Sequence, residues 1–321
     1  MKLVVTHETA LHYLRLQRDG VRRRSLAPGE LYSPRNDKGT PRRFFDVTEL
    51  PDEMPLHIAV PERGQRAHNT PNLVCHALDL DRLPARSFVP VAPEVLAASP
   101  ELVFVQMAGK LPLVPLVELG FELCGGYART ADDRGFADAK PLTSTKRLGE
   151  YVAGCEGMYG AGKARRAVVY VADGAASPME AAVAMLLTLP SHLGGYGFDK
   201  PQLNGEVAVP SRLRRDMGVD ALHCDLLWPE CGVALEYDSD RYHTGAERIF
   251  RDAERRNNLK KLGVEVVAAT RRQVLDMYRF EKVAGLLARA MGRRLRIRSS
   301  KFERARSALY AQLFARNRLV P

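Results

Sequence analysis

Two extended runs, ALHCDLLW from residue 221 and VALEYD from residue 233, are separated only by Pro229-Glu230-Cys231-Gly232. Four turn-forming residues between apolar runs leave room for a tight reversal and little else. The spacing therefore predicts an antiparallel hairpin centred between residues 230 and 231. That register sets Trp228 opposite Val233, Asp225 opposite Glu236 and His223 opposite Asp238. Side chains alternate along a strand, so Leu226, Trp228, Val233, Leu235 and Tyr237 are expected on one face and His223, Asp225, Glu236 and Asp238 on the other. One face is core; the other gathers acids.

Opposed carboxylates on neighbouring strands repel, and something must compensate. A hard divalent cation held by carboxylate oxygens would do so. Such an ion also lowers the pKa of bound water and neutralises a phosphodiester under attack. The alternative is a solvated strand face whose charges are simply hydrated.

The flanking sequence extends the pattern. Residues 177–189 (SPMEAAVAMLLTL) have Ser at the N-cap position, Pro at the first turn and Glu three residues on, which predicts a helix. Residues 203–209 form another extended run. After the hairpin, a charged helix is expected over 246–262, ending at Gly263, and then a β-branched strand over 264–269. The order is α-β-β-β-α-β. Upstream, a helix is expected over 6–17, extended runs over 55–61 and 86–92, a helix opened by Ser99-Pro100-Glu101, and an apolar helix over 112–124. Residues 128–146 read as a polar linker, and 148–159 and 164–172 as helical or buried segments. Gly160-Ala161-Gly162-Lys163 lacks the spacing of a phosphate loop.

Asp225 to Trp228, then Glu236-Tyr237-Asp238, His243, Arg251-Asp252, Arg255, Asn257 and Leu259 to Gly263, followed by a buried strand, resemble the PD-(D/E)XK nuclease superfamily, and within it the branch related to very-short-patch-repair endonucleases. The resemblance covers about residues 173–270. It implies an α/β fold with a restriction-endonuclease-like core and mixed sheet, preceded by an α+β N-terminal region, and it implies divalent-metal-dependent DNA cleavage with Mg²⁺ or Mn²⁺. Carried over by position, Asp225 and Glu236 match the metal-binding acids. Glu180 matches the acid that the first helix often contributes, although Ser177 and Glu180 also have capping-box spacing. Asp238 stands where the superfamily has Lys. The role of that Lys would pass to Arg255, to His243, or to further metal held by Asp238 itself. The competing expectation is a DNA-binding regulatory protein with this fold and no activity; an RNase is a third.

The charge distribution points to the same partner. Residues 289–321 hold ten Lys/Arg against Glu303 alone, which accounts for nearly all of the chain's net +10. Such asymmetry is an electrostatic footprint for a polyanion; the alternative is a solvated basic helix. Arg293, Arg294, Arg296 and Arg298, with Arg248 and Arg251 of the charged helix, are the candidate DNA contacts. Leu295, Ile297, Phe302, Leu309, Tyr310 and Phe314 are expected to hold this segment against the body. The segmentation is thus an N-terminal region (1–145), a nuclease-like domain (146–288) and a basic segment (289–321). The N-terminal region has no motif of its own and is the candidate surface for a second copy or a partner protein. No apolar run approaches the ~20 residues a bilayer requires, and the opening residues lack the core of a signal peptide. With five cysteines and no CxxC pair, free thiols and a cytoplasmic setting are expected.

Overall fold

Short β-branched runs alternating with capped helices resolve into a five-stranded sheet in the first of two units, a four-stranded sheet in the second and a separate two-stranded ribbon. The computed structural model describes residues 1–18, 21–27, 29–33, 41–51, 53–238, 246–295 and 299–314. The first unit comprises Met1–Cys124 and Ala128–Val171; the second comprises Gly125–Tyr127 and the chain from Ala172 onward. The main division thus falls at Val171/Ala172 rather than at 145/146, and the described part of 289–321 belongs to the second unit.

In the first unit, β1 (Leu3–Val5) leads directly into α1 (His7–Leu16). β2 (Leu56–Val60), β3 (Leu73–Ala77), β4 (Phe88–Ala92) and β5 (Val95–Ala98) complete a five-stranded mixed sheet in the order β3-β2-β1-β5-β4. α2 (Pro100–Ala108) starts where Ser99 Oγ accepts the Leu102 N–H, with Pro100 at the first position, and is buried along its whole length. α3 (Leu113–Cys124) is the apolar helix expected there. The acids these two helices carry are buried with arginines: Arg23 makes two bonds to Glu101 and Arg15 two to Glu122, all between 2.8 and 3.0 Å, and Arg129 bonds Glu118. Residues 128–146 are not merely a linker. A ribbon of β6 (Tyr127–Arg129) and β7 (Phe136–Asp138) precedes Pro141, closed by a turn in which Asp132 accepts the Thr130 hydroxyl and the Gly135 N–H, each at 2.9 Å. α4 (Thr145–Ala153) and α5 (Ala161–Val168) end the unit.

The second unit runs α6 (Pro178–Thr188), β8 (Gln202–Ala208), α7 (Ser211–Met217), β9 (Ala221–Trp228), β10 (Val233–Asp238), α8 (Ala246–Lys261) and β11 (Glu265–Thr270). Apart from α7, this is the order read from the sequence. The sheet is β11-β10-β9-β8, with β8, β9 and β10 antiparallel in turn and β11 parallel to β10. α9 (Arg271–Val274), α10 (Met277–Ala290) and α11 (Ser300–Phe314) follow. Among the described residues no helix is long and apolar enough to cross a membrane.

The hairpin has the expected register at Trp228–Val233, continuing through Leu227–Ala234 and Leu226–Leu235. A short 3₁₀ turn over Pro229–Cys231 makes the reversal, and Gly232 supplies the left-handed backbone that closes it, at φ 61°. Strict alternation then fails. Cys224 and Leu227 belong to one buried cluster with Ala234 and Leu259, although alternation would put them on opposite faces. The ladder to β10 stops short of Asp225, whose carboxylate accepts the Tyr237 N–H at 2.7 Å. Asn204, which falls opposite Asp225 between the Leu203–Leu226 and Gly205–Cys224 pairs, has φ 52°. The β9–β10 register runs only from Trp228–Val233 to Leu226–Leu235, which corrects the expected Asp225–Glu236 and His223–Asp238 pairs; on their other edges His223 pairs with Glu206 and Asp238 with Thr270.

α11 shows why the basic segment is not a loose arm. Phe302, Leu309 and Leu313 are buried, and so is Arg306 at 1% exposure. Its guanidinium bonds Tyr196 Oη (3.1 Å), Glu281 (2.8 Å) and Glu303 (2.6 Å). The helix lies so close to the turn at Ser191–Leu193 that a Cβ on Gly194 (φ 91°) would collide with the Ala305 carbonyl oxygen.

Candidate functional site

α6, β9 and β10 each bring one acid to the same part of the second unit. Glu180 is fixed by the start of its own helix. Ser177 Oγ accepts the Glu180 N–H (3.2 Å) and donates to Glu180 Oε1 (2.9 Å), while Oε2 accepts the N–H of Ala176 (2.8 Å). This is the capping interaction read from the sequence, shifted by one amide. Burial raises the Glu180 pKa against the pull of these bonds, and Glu236 adds to the rise.

Asp225 is the more perturbed group. Burial first, then the charges of Glu236 and Glu180, push its pKa up to about 7, opposed by the Tyr237 N–H and by Arg255. Glu236 is partnered: Arg255, on α8, grips both its oxygens (2.7 and 3.2 Å) and reaches the His223 carbonyl oxygen as well. Asp225 and Glu180, by contrast, accept their hydrogen bonds from neutral amide and hydroxyl groups. Two half-buried carboxyls therefore share a place that a single guanidinium only partly neutralises. Beside them the Cys224 thiol is pushed up to about 12 by burial and by Glu236.

Of the other residues singled out in the sequence, Asp238 lies at the end of β10 beside Thr270; the charges that chiefly act on Asp225 are those of Glu236, Glu180 and Arg255. His223 is exposed, with Nδ1 3.4 Å from the Asn204 carbonyl oxygen. His243, Arg296 and Arg298 lie outside the described residues, as do the side chains of Arg248 and Arg251. Arg293 is exposed and pairs with Asp199, and Arg294 is exposed.

Hard carboxylate oxygens suit Mg²⁺ or Mn²⁺, and the unneutralised charge on Asp225 and Glu180 fits a cation of that kind. The three acids are not drawn together at ligand spacing, however. Among the described residues, the three potential donors that lie within 4.8 Å of one another are His7, His57 and His76, in the first unit. Sequence reading passed over these histidines because they are far apart along the chain. Their one signal was that His57 and His76 each sit inside an apolar run. No family model matches the chain, and no curated protein or solved structure is similar to it.

Proposed function

We propose that the second unit is a divalent-metal-dependent DNA endonuclease of restriction-endonuclease-like architecture. The observation that supports this most is the Asp225 carboxyl, raised to about 7 in the company of Glu236 and Glu180. Perturbed acids gathered where an α-β-β-β-α-β order places them are a candidate for chemistry rather than for packing. Asp225 and Glu236 would hold Mg²⁺ or Mn²⁺, with Glu180 as an outer acid. When bound, such an ion supplies an acidified water and charge neutralisation at a phosphodiester. Arg255 positions Glu236 and tethers α8 to β9 through the His223 carbonyl. Among the described residues, it is the cation at the acid cluster that could take the role of the Lys replaced by Asp238. DNA is the partner this reading requires; a second copy or a protein partner for the first unit has no observation behind it.

A second reading is favoured by the same bidentate pair. Arg255 already neutralises Glu236, and Glu180 is engaged in its cap, which is how a DNA-binding protein without cleavage activity would quiet an acid cluster. A plasmid-nicking assay in Mg²⁺, in Mn²⁺ and in EDTA separates the two. Nicking that requires metal and disappears in EDTA is the expected result; DNA binding with no cleavage in either metal would give the regulatory reading.

The DNA footprint is expected on the basic segment. Reversing Arg293, Arg294, Arg296 and Arg298 to Glu should weaken duplex binding and flatten its salt dependence by up to about 0.9 in slope for each phosphate that is no longer neutralised. The measurement is log affinity against log salt for the folded variant. An unchanged slope would move the footprint elsewhere. Arg306 is left alone because it is interior.

A further inference from the structure

The start of α1 and the two strands at one side of the five-stranded sheet bring three imidazoles together. β2 and β3 are parallel, and His76 pairs with Ala59, two residues beyond His57, so His57 and His76 project from the same face. Their rings meet at 2.8 Å between His57 Nδ1 and His76 Nε2. His7 closes the group from the first position of α1, stacked on His76 with 3.7 Å between ring centroids. The chain accepts a conformational cost to put it there: His7 has φ 49°, a left-handed backbone that a non-glycine residue seldom adopts. The His7 amide is held by Gln106 Oε1 (3.1 Å), and its Nδ1 lies 3.0 Å from Thr6 Oγ1.

We propose that His7, His57 and His76 form a binding site for a divalent transition-metal ion, with Zn²⁺ the best match. Imidazole nitrogens suit Zn²⁺, Ni²⁺ and Cu²⁺ and are poor ligands for Mg²⁺. Three of them leave the fourth position of a tetrahedral ion open to water or a small anion. Zn–N bonds of ~2.05 Å put tetrahedral ligand atoms about 3.3 Å apart. The 2.8 Å His57–His76 contact therefore opens by roughly half an ångström on loading, and the His7 stack loosens. One carboxylate stands beside the rings, and Lys110 beside it. Glu8 Oε2 lies 3.6 Å from His57 Nδ1, and the Glu8 carboxylate is held in place by Lys110 Nζ at 2.7 and 2.8 Å. The contact between His7 Nδ1 and the Thr6 hydroxyl is the sort of outer partner that fixes a ligating ring's orientation. The ion would clamp the start of α1 to β2 and β3, and it is independent of the acid cluster in the second unit.

The test uses the full chain, stripped with EDTA and titrated with Zn²⁺ in competition with a chromophoric chelator, and separately with Co²⁺. The expected result is one Zn²⁺ per chain, a tetrahedral Co²⁺ visible spectrum, a metal-dependent rise in Tm, and no displacement by excess Mg²⁺. His7→Asn and His76→Gln should each weaken Zn²⁺ binding at least ~100-fold while melting like the metal-free parent. Excess Mg²⁺ is kept present in the Zn²⁺ titrations to occupy the acid cluster of the second unit. No stoichiometric binding by the parent would overturn the proposal, leaving a hydrogen-bonded imidazole cluster. So would an equivalent of Zn²⁺ that survives both histidine substitutions in a folded chain. If either variant fails to fold, the Co²⁺ spectrum of the parent decides alone, since octahedral or absent bands are incompatible with this site.

Discussion

Asp225→Asn and Glu236→Gln are each expected to lower metal-dependent nicking by roughly a thousandfold, equivalent to about 4 kcal/mol of barrier. Circular dichroism should match the parent for both; melting in EDTA should match or improve for Asp225→Asn, whereas Glu236→Gln should melt lower because it breaks the bidentate pair with Arg255. Each change removes a charged oxygen donor and almost no volume. The Asn amide oxygen can still accept the Tyr237 N–H that Asp225 accepts at 2.7 Å. Glu180→Gln is the informative control, because a Gln oxygen can still take the Ala176 N–H while its charge is gone. Loss of cleavage there would give Glu180 a part in the chemistry, and parental activity would leave it a cap. A parental nicking rate for Asp225→Asn would remove the site assignment altogether.

The metal-free chain should lose stability between about pH 4 and pH 8 through Asp225. Its folded pKa, about 7, lies above the usual 3.8. Between those values the native state holds more protons at this group than the unfolded state does, and stability falls as pH rises. The contribution is therefore complete below about pH 4 and is lost as pH passes 7. A shift of this size corresponds to on the order of 2–4 kcal/mol. Urea melts in EDTA at pH 4 and pH 8, for the parent and for Asp225→Asn, isolate it, because the other titrating groups are common to both. Asp225→Asn should be the more stable chain at pH 8, and the advantage should shrink steadily as pH falls to about 4. Millimolar Mg²⁺ or Mn²⁺ should restore the parent at pH 8, since a ligand that binds only the native state adds stability. If the two chains keep a constant difference across this range, Asp225 is not the titrating group.

Much of the second unit was legible because its signals are local. The Pro229–Gly232 spacing sets the hairpin register, and Ser177, Pro178 and Glu180 set the start of α6 within a residue. What failed was the assumption of uninterrupted alternation. An acid that accepts a main-chain N–H from the next strand looks, in sequence, like any outward-facing acid, so the break at Asp225 and Asn204 left no trace. The sheet is also buried on both sides at Leu226, Leu227, Ala234 and Leu235, which erases the polar-apolar rhythm. The first unit was harder to read for a different reason. Its strands are only three to five residues long, and Leu3–Val5 finds partners in Ile58 and in Val95 to Ala97. Arg15, Arg23 and Arg129 neutralise acids inside α2 and α3, which the apolar pattern alone does not predict. Three histidines at 7, 57 and 76 converge only once those pairings exist.

The buried guanidinium of Arg306 also fixes an order of events in time. Tyr196 and Arg306, which are hydrogen-bonded, stand 110 positions apart in the chain, and closing so long a loop is slow relative to local helix formation. During synthesis the sheet strands and α10 emerge first, with Tyr196 still lacking Phe302 and Arg306 of α11. The second unit is therefore an unfinished surface until residues 300–314 arrive. That exposed interval, rather than any weakness of the finished fold, is where misfolding and chaperone capture of this chain are expected to concentrate.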